Sequence, residues 1–241
     1  MPNFIKQREC KYRMASSLFG ILIEPDTFFQ KLMAGKENLV IPTFIILAGA
    51  VVGAVNGYLM GSLTAKMMGG TGFGLLGIIT AATIIGTFIG IFIYWVVETA
   101  IFYLISMVFN GTGSFTRSLE VVGYGSLPQI IGHGISLIIA VVYIPRITVP
   151  HLGPESLGNP QMIANATRSL MSDPVMAQYS LITMAVSILF LLWSTYCWIY
   201  GVKHARQLSL RNAAICVGIP VLLYIIYLVG MRALAYALVG V

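Results

Sequence analysis

The segment from Asn110 to Ser136 reads NGTGSFTRSLEVVGYGSLPQIIGHGIS, and it places glycine, proline and ionisable residues inside otherwise apolar sequence. The whole chain is 58% hydrophobic and 9% charged, with a mean hydropathy of +0.88. Soluble domains carry about 25% charged residues, so this chain lacks the polar surface that water on all sides requires. The sequence therefore predicts a membrane protein that accommodates this polar segment within a span.

Five apolar segments set the predicted architecture. A hydrocarbon core of about 30 Å needs roughly 20 apolar residues in a helix, and lipid offers no partners to exposed backbone groups. The segments are far longer than the ~10-residue alternating strands of a membrane β-barrel. We predict an all-α, polytopic membrane protein with a five-helix transmembrane bundle in residues 39–241. The segments cover residues 39–62, 74–109, 117–145, 178–201 and 211–238.

A basic tail precedes the first span, and residues 1–38 are predicted to form a cytosolic region. Within it, EPDTFFQKL at 24–32 has the pattern of a short helix. Pro25 suits the first helical position, and Asp26 suits the positive end of the helix dipole. Two phenylalanines and a leucine share one side, which favours a helix lying along the membrane surface. A plain linker before the first span is the alternative.

The number of spans depends on whether segment 72–110 forms one long tilted helix or two short ones. Lysine and arginine accumulate on the cytoplasmic flanks of spans. One helix, with the N-terminus inside, places ten of the 14 basic residues inside, whereas two helices place nine there. We therefore predict five spans with a cytosolic N-terminus. The inner set is Lys6, Arg8, Lys11, Arg13, Lys31, Lys36, Arg117, Lys203, Arg206 and Arg211.

Glycines at a spacing of four residues form one face of the first predicted span. Such a face lets another helix backbone approach closely. We expect packing against another span of the same chain, and self-association into a homo-oligomer is the alternative. The first-span glycines are Gly49, Gly53, Gly57 and Gly61, and the predicted matching surface on the second span is Gly86 and Gly90.

The segment quoted above contains several helix signals. Ser114 is a predicted N-cap after the turn NGTG. Arg117 and Glu120 are three residues apart near the helix start, where they are predicted to pair and anchor the span at the membrane interface. Pro128 removes one backbone donor and is predicted to kink the span.

Polar side chains within the second and third spans predict a polar interior. Glu98 and Tyr94 lie one turn apart, and Gln129 and His133 lie on one side of the next span. A carboxylate at the membrane centre costs about 2.5 kcal/mol or more, so Glu98 should be neutral, paired or near an interface. We predict that these residues face each other. They are either hydrogen-bonded packing groups or a site for a proton, a cation or a headgroup.

Other chemistry finds little support in the sequence. The three histidines and three cysteines are dispersed, so no spacing indicates a metal site or a disulfide framework. The basic residues flank hydrophobic segments, as orientation signals and lipid contacts do, and do not form a nucleic-acid footprint. We expect no cofactor, no metal, no nucleic-acid partner and no enzymatic activity.

The motifs GSFTRSL at 113–119 and VVGYGSLP at 121–128 resemble the signature segment of the Yip family, the Ypt/Rab-interacting membrane proteins. The upstream EPDTFF at 24–29 and the small-residue-rich first span resemble the family's prokaryotic branch. The resemblance implies five spans and a cytosolic N-terminus. Eukaryotic members bind prenylated Rab-type GTPases in vesicle traffic. This chain has a short tail and lacks their Asp-Leu-Tyr-Gly-Pro motif, which favours a bacterial or archaeal cytoplasmic membrane.

Two functions follow as expectations. The first is a non-enzymatic membrane scaffold or adaptor that engages membrane lipids or a membrane-associated protein partner. The alternative is a small transporter, channel or lipid-handling protein that uses Glu98, Gln129 and His133.

Overall fold

The computed structural model describes residues 18–67, 73–153 and 159–239, and all regular secondary structure in these ranges is helical. Five segments are long and apolar enough to cross a membrane, which confirms the predicted all-α architecture. The helices are α1 (Pro25–Met33), α2 (Val40–Met67), α3 (Phe73–Val108), α4 (Phe115–Gly125), α5 (Leu127–Tyr143), a 3₁₀ turn (Ile144–Arg146), α6 (Pro160–Met171), α7 (Pro174–Ala205) and α8 (Leu210–Val239).

The short N-terminal helix is present. Pro25 begins α1, Asp26 lies in its first turn and Lys31 in its last turn, an order that complements the helix dipole. Phe29 is fully buried, so α1 packs onto protein through one side. Residues 18–23 form a further helical segment immediately before α1. Placement of α1 at the membrane surface stays a prediction.

The long second apolar segment is one helix. α3 runs for 36 residues without interruption. At 1.5 Å per residue it is about 54 Å long, well beyond a hydrocarbon core of about 30 Å. No proline interrupts it, no two of its glycines are adjacent, and residues 91–108 contain none, so no point favours a turn. Of the two predicted possibilities for segment 72–110, the structure contains the single long helix, which gives five candidate spans.

The third span consists of two helices, α4 and α5, which are interrupted at Ser126. Pro128 is the second residue of α5 and has no N–H to donate. The backbone N–H of the next residue, Gln129, donates instead to Ser194 Oγ at 3.1 Å. The interruption thus lies two residues before the predicted kink. The Ser194 hydroxyl on α7 accepts the Gln129 N–H, which has no partner within the interrupted helix.

The described residues form two compact units, and α2, α3, α5, α7 and α8 each contribute residues to both. The core of the first unit contains Phe29, Phe102, Val121 and Trp198, all buried. Trp198 Nε1 donates to the carbonyl of Val122 at 2.9 Å, which fixes α7 against α4. The first unit comprises residues 18–46, 94–129 and 191–222, and the second comprises 47–67, 73–93, 130–153, 159–190 and 223–239.

The glycine face of α2 packs against α3 and α5 in the second unit. A Cβ added at Gly53 would lie 2.6 Å from Ile91 Cδ1, and one at Gly57 would lie 3.1 Å from Thr87 Oγ1. Likewise, a Cβ at Gly61 would lie 3.3 Å from Thr80 Cγ2, and one at Gly49 would lie 2.9 Å from Ile130 Cγ1. This face is covered within the chain, so a homo-oligomer would need another surface.

The predicted matching surface on α3 needs correction. A Cβ added at Gly86 or Gly90 meets no described atom within 4 Å. The surface that faces α2 consists instead of threonines and Ile91, which lie on a neighbouring side of α3. Thr87 Oγ1 donates to the Thr83 carbonyl at 2.7 Å, so a hydroxyl is satisfied on its own helix. Threonine side chains, and not the two glycines, therefore form the surface of α3 that packs closely against α2.

Candidate functional site

Charged side chains collect in the first unit around the N-terminal segment. We call Asp26, Arg117, Glu120, Lys203, His204 and Arg206 the polar cluster. Glu120 and Arg206 are almost completely buried, and Arg117 is 9% exposed. Buried charges are stable only when they are paired and hydrogen-bonded, so the partners of this cluster define its chemistry.

The first part of the polar cluster is the pair Arg117–Glu120. Ser114 Oγ caps α4 by accepting the N–H of Arg117 at 2.9 Å. One turn later, Arg117 Nη1 lies 2.5 Å from Glu120 Oε2. The two residues share one helix face because they are three positions apart. The Ser114 cap and the Arg117–Glu120 pair are therefore both present at the start of the third span, where the spacing of these residues predicts them.

The remaining hydrogen-bonding groups of this pair contact the end of α1 and the turn after it. Arg117 Nη2 donates to the Gly35 carbonyl at 2.7 Å, and the Asn38 N–H donates to Glu120 Oε1 at 3.2 Å. A cation beside carbonyls at a helix C-terminus is favourable. The pair is thus enclosed by the protein's own N-terminal segment. An additional anchoring role at the lipid interface stays a prediction.

Arg206 is the centre of the second part of the polar cluster. Its Nε donates to Ser106 Oγ at 2.7 Å and its Nη2 donates to the Gly111 carbonyl at 2.6 Å. Its Nη1 donates to the Gly113 carbonyl. The guanidinium carbon lies 4.0 Å from the ring centroid of Tyr103, which is a cation–π distance. One arginine at the end of α7 therefore holds the loop between α3 and α4.

The glycines of this loop have a conformational reason. Gly113 has φ of 103°, a region that side-chain-bearing residues rarely adopt, and a Cβ there would overlap the Ala205 carbonyl. Two glycine carbonyls are thereby brought to one guanidinium. The sequence alone identifies Arg206 only as an orientation charge. The available signal was an arginine at a span end opposite a glycine-rich turn.

The third part of the polar cluster joins α1 to the end of α7. Lys203 Nζ lies 2.7 Å and His204 Nε2 lies 2.6 Å from Asp26 Oδ1. Hydrogen bonds from Lys203 and then from His204 lower the pKa of the Asp26 carboxyl below its ordinary value. The side chain of Asp26 is half exposed, so solvent screens this contact. The sequence predicts these residues on the same side of the membrane but gives no sign that they pair.

The predicted polar interior is only partly assembled. Tyr94 Oη donates to Glu98 Oε1 at 3.0 Å. Glu98 is 7% exposed, and its Oε2 has no hydrogen-bond partner among the described residues. No hydrogen bond joins Glu98 to Gln129 in these ranges, although both belong to the first unit. Glu98 is therefore a buried carboxyl with one satisfied oxygen.

His133 lies outside the buried contact that α5 makes with α7. Its side chain is exposed, and it belongs to the second unit. The neighbouring Gly132 is the buried residue, and a Cβ there would lie 2.7 Å from Phe190 Cβ on α7. Successive helix positions differ by about 100°, so packing through Gly132 turns His133 away from that contact. A relation between His133 and Glu98 stays a prediction.

Metal-binding geometry is absent from the described ranges, where no group of three or more His, Cys, Asp or Glu side chains converges. Cys197 and Cys216 are buried free thiols. Cys197 Sγ donates to the Ile21 carbonyl at 3.3 Å, which is a packing role. The chemistry of the site is thus that of ion pairs and carbonyl contacts.

An integral membrane protein with five helical spans is the class that this fold and its cluster define. Residues 19–231 match the Yip1 domain, and the chain belongs to this family. The family resemblance of the segment at 113–128 is thereby confirmed. An uncharacterized protein of the archaeon Methanocaldococcus jannaschii is 36% identical over 124 residues, which cover 52% of this chain and 88% of the relative. No solved structure matches the chain.

Proposed function

We propose that the protein is a non-enzymatic membrane scaffold or adaptor whose N-terminal segment forms a fixed docking surface for lipids or membrane-associated partners. One observation carries the proposal: the charges of the polar cluster, of which Arg117, Glu120 and Arg206 are buried, contact the protein's own backbone and side chains. Arg117 holds the end of α1, Arg206 holds the α3–α4 loop, and Asp26 holds the end of α7. Such contacts favour a rigid surface over a substrate-binding site.

The surface supported in this way carries exposed apolar and basic side chains. Phe19 is 65% and Ile23 is 72% exposed, and they lie four positions apart in the helical segment before α1. Lys31, Lys36 and Arg211 are also exposed in the first unit. Apolar and basic groups together suit an anionic membrane surface or an acidic protein partner. With the excess of basic flanks, they favour a cytosolic position of this end in a bacterial or archaeal membrane.

Photo-crosslinking in native membranes tests the proposal. A crosslinking amino acid at Lys36 or Gln207, both exposed, should give discrete adducts of reproducible mass. The control position is Met162, which is exposed on α6 in the second unit and should give none of these adducts. Equal labelling at all three positions, or none above background at Lys36 and Gln207, would contradict a docking surface.

The transport alternative is favoured by one specific observation, the unpartnered Oε2 of the buried Glu98. A buried carboxyl without a full set of partners is expensive and often marks a proton or ion path. Proteoliposomes with a pH-sensitive dye inside separate the two functions. Proton or cation flux that disappears in Glu98→Gln would establish transport, whereas a scaffold should give no flux that depends on this carboxyl.

A further inference from the structure

A cavity of the second unit lies beside α6 and between the start of α7 and the end of α8. Its volume is about 300 Å³, and its lining includes Met171, Met176, Ala177, Ser180, Met231 and Arg232. Ligand pockets measure about 300 to 1,000 Å³, so this space accommodates part of a lipid-sized molecule. None of these residues belongs to the polar cluster, so the inference drawn from them does not rest on the scaffold proposal.

The lining combines a flexible apolar wall with one permanent positive charge. Methionine side chains are unbranched and polarizable, and three of them adapt to an alkyl chain of variable shape. Arg232 donates from Nη1 to Ser180 Oγ, which orients the guanidinium. A guanidinium carries five N–H donors, so it serves several acceptors at once and matches the geometry of phosphate oxygens. The cavity is therefore complementary to an anionic amphiphile.

The position of the lining residues along their spans indicates the depth of the cavity. Met176 and Ala177 lie in the first turn of the span Pro174–Ala205, and Arg232 lies in the last turn of the span Leu210–Ala235. Span ends lie near the lipid headgroups, where arginine extends its charge toward phosphate while its stem stays in apolar surroundings. The methionines and Arg232 therefore lie together near the headgroup end of the two spans, where a lipid that enters from the bilayer meets both.

We propose that this cavity binds one anionic phospholipid of the surrounding bilayer. Its acyl chain contacts the methionines, and its phosphate oxygens accept hydrogen bonds from Arg232. A zwitterionic lipid fills the same space but has a cationic group beside its phosphate, so it binds more weakly. Inorganic phosphate has the charge without the chain and should not compete.

Native mass spectrometry of the purified protein, titrated with phosphatidylglycerol or phosphatidylcholine, tests the site. The wild type should retain phosphatidylglycerol more tightly, and Arg232→Gln should weaken that retention about tenfold, which corresponds to the loss of one charge-assisted contact. Retention of phosphatidylcholine should change little. The matched control is Arg168→Gln, which removes an exposed positive charge from α6 and should leave phosphatidylglycerol binding unchanged.

A second variant keeps the test decisive if Arg232→Gln does not fold. Ala177→Phe places a ring in the cavity without changing charge, and it should reduce retention of both lipids. Equal wild-type affinity for the two lipids, or unchanged phosphatidylglycerol binding in Arg232→Gln, would overturn the proposal. Displacement of the lipid by inorganic phosphate would overturn the role of the acyl chain. The crosslinks at Lys36 and Gln207 should persist in both variants, so the two proposals fail separately.

Discussion

Arg206 Nη2 lies 2.6 Å from the carbonyl oxygen of Gly111, so the end of the fourth span holds the loop between the second and third spans. The two residues are 95 positions apart in the chain. The polar, glycine-rich start of the segment at 110–136 is therefore a hydrogen-bonding surface for one buried guanidinium. Glycine and serine supply carbonyls and a cap at close range, which larger side chains would prevent.

Replacement of Arg206 by glutamine should destabilise the protein by about 3 kcal/mol, because buried carbonyls lose charged donors and a buried cation network is broken. The midpoint of thermal unfolding in detergent measures the effect. Arg211→Gln is the control, since Arg211 is exposed on α8 and its loss should cost little. Equal midpoints for the two variants would contradict a structural role for Arg206.

Leucine at Gly57 should destabilise the α2–α3 contact by about 1 to 3 kcal/mol or prevent folding, because the face is already filled by threonine. Gly53→Leu should act in the same way. Gly86→Leu is the matched control: the space beside Gly86 is open, and leucine favours the helix more than glycine does. Similar losses at Gly57 and Gly86 in a thermal unfolding assay would argue against the packing described.

Glu98→Gln should leave folding intact, because the amide oxygen still accepts the hydrogen bond from Tyr94. Glu98→Leu removes that acceptor and should destabilise the protein by about 1 kcal/mol. The comparison is made by thermal unfolding at neutral pH. If Glu98→Gln proved the more damaging of the two, the carboxyl would have to be ionised and paired.

Acid should weaken the contact between α1 and α7. The folded-state pKa of Asp26 is lowered from an ordinary value of 3.8. Its stabilising contribution is therefore fully present above 3.8 and is lost as the pH falls through the lowered folded-state pKa. Asp26→Asn should flatten part of the pH dependence of the unfolding midpoint. Asp173, whose carboxyl also has a lowered pKa, accounts for a remaining acid loss in both proteins.

Cysteine labelling tests the orientation. In a variant without native cysteines, Gln207→Cys should react with a membrane-impermeant maleimide only after the cytosolic face is opened, because the basic flanks place this turn inside. Met162→Cys on α6 should react in intact cells. Reaction of position 207 from the outside alone would reverse the proposed topology.

The fold was largely predictable, since hydropathy over long segments reports which residues cross a membrane. The Ser114 cap and the neighbouring Arg117–Glu120 contact also follow from short spacings. Contacts between distant segments did not follow: nothing near Arg206 in the sequence identifies Gly111 as its partner. The side of α3 that faces α2 was also not predictable from the sequence. A glycine pair at 86 and 90 suggested a contact face, but the face of α3 that meets α2 lies about 90° away around the helix.

The amide of Gln129, which depends on Ser194, has a consequence for the order of biogenesis. α4 has 11 residues and α5 has 17, so neither alone crosses a hydrocarbon core that needs roughly 20 residues. The ribosome delivers Ser194 only after a further 65 positions. We expect the third span to stay near the translocon until the fourth arrives. In chains truncated before residue 190, a cysteine introduced into the third segment should therefore stay accessible to a membrane-impermeant maleimide, and in chains that extend beyond residue 205 it should be protected.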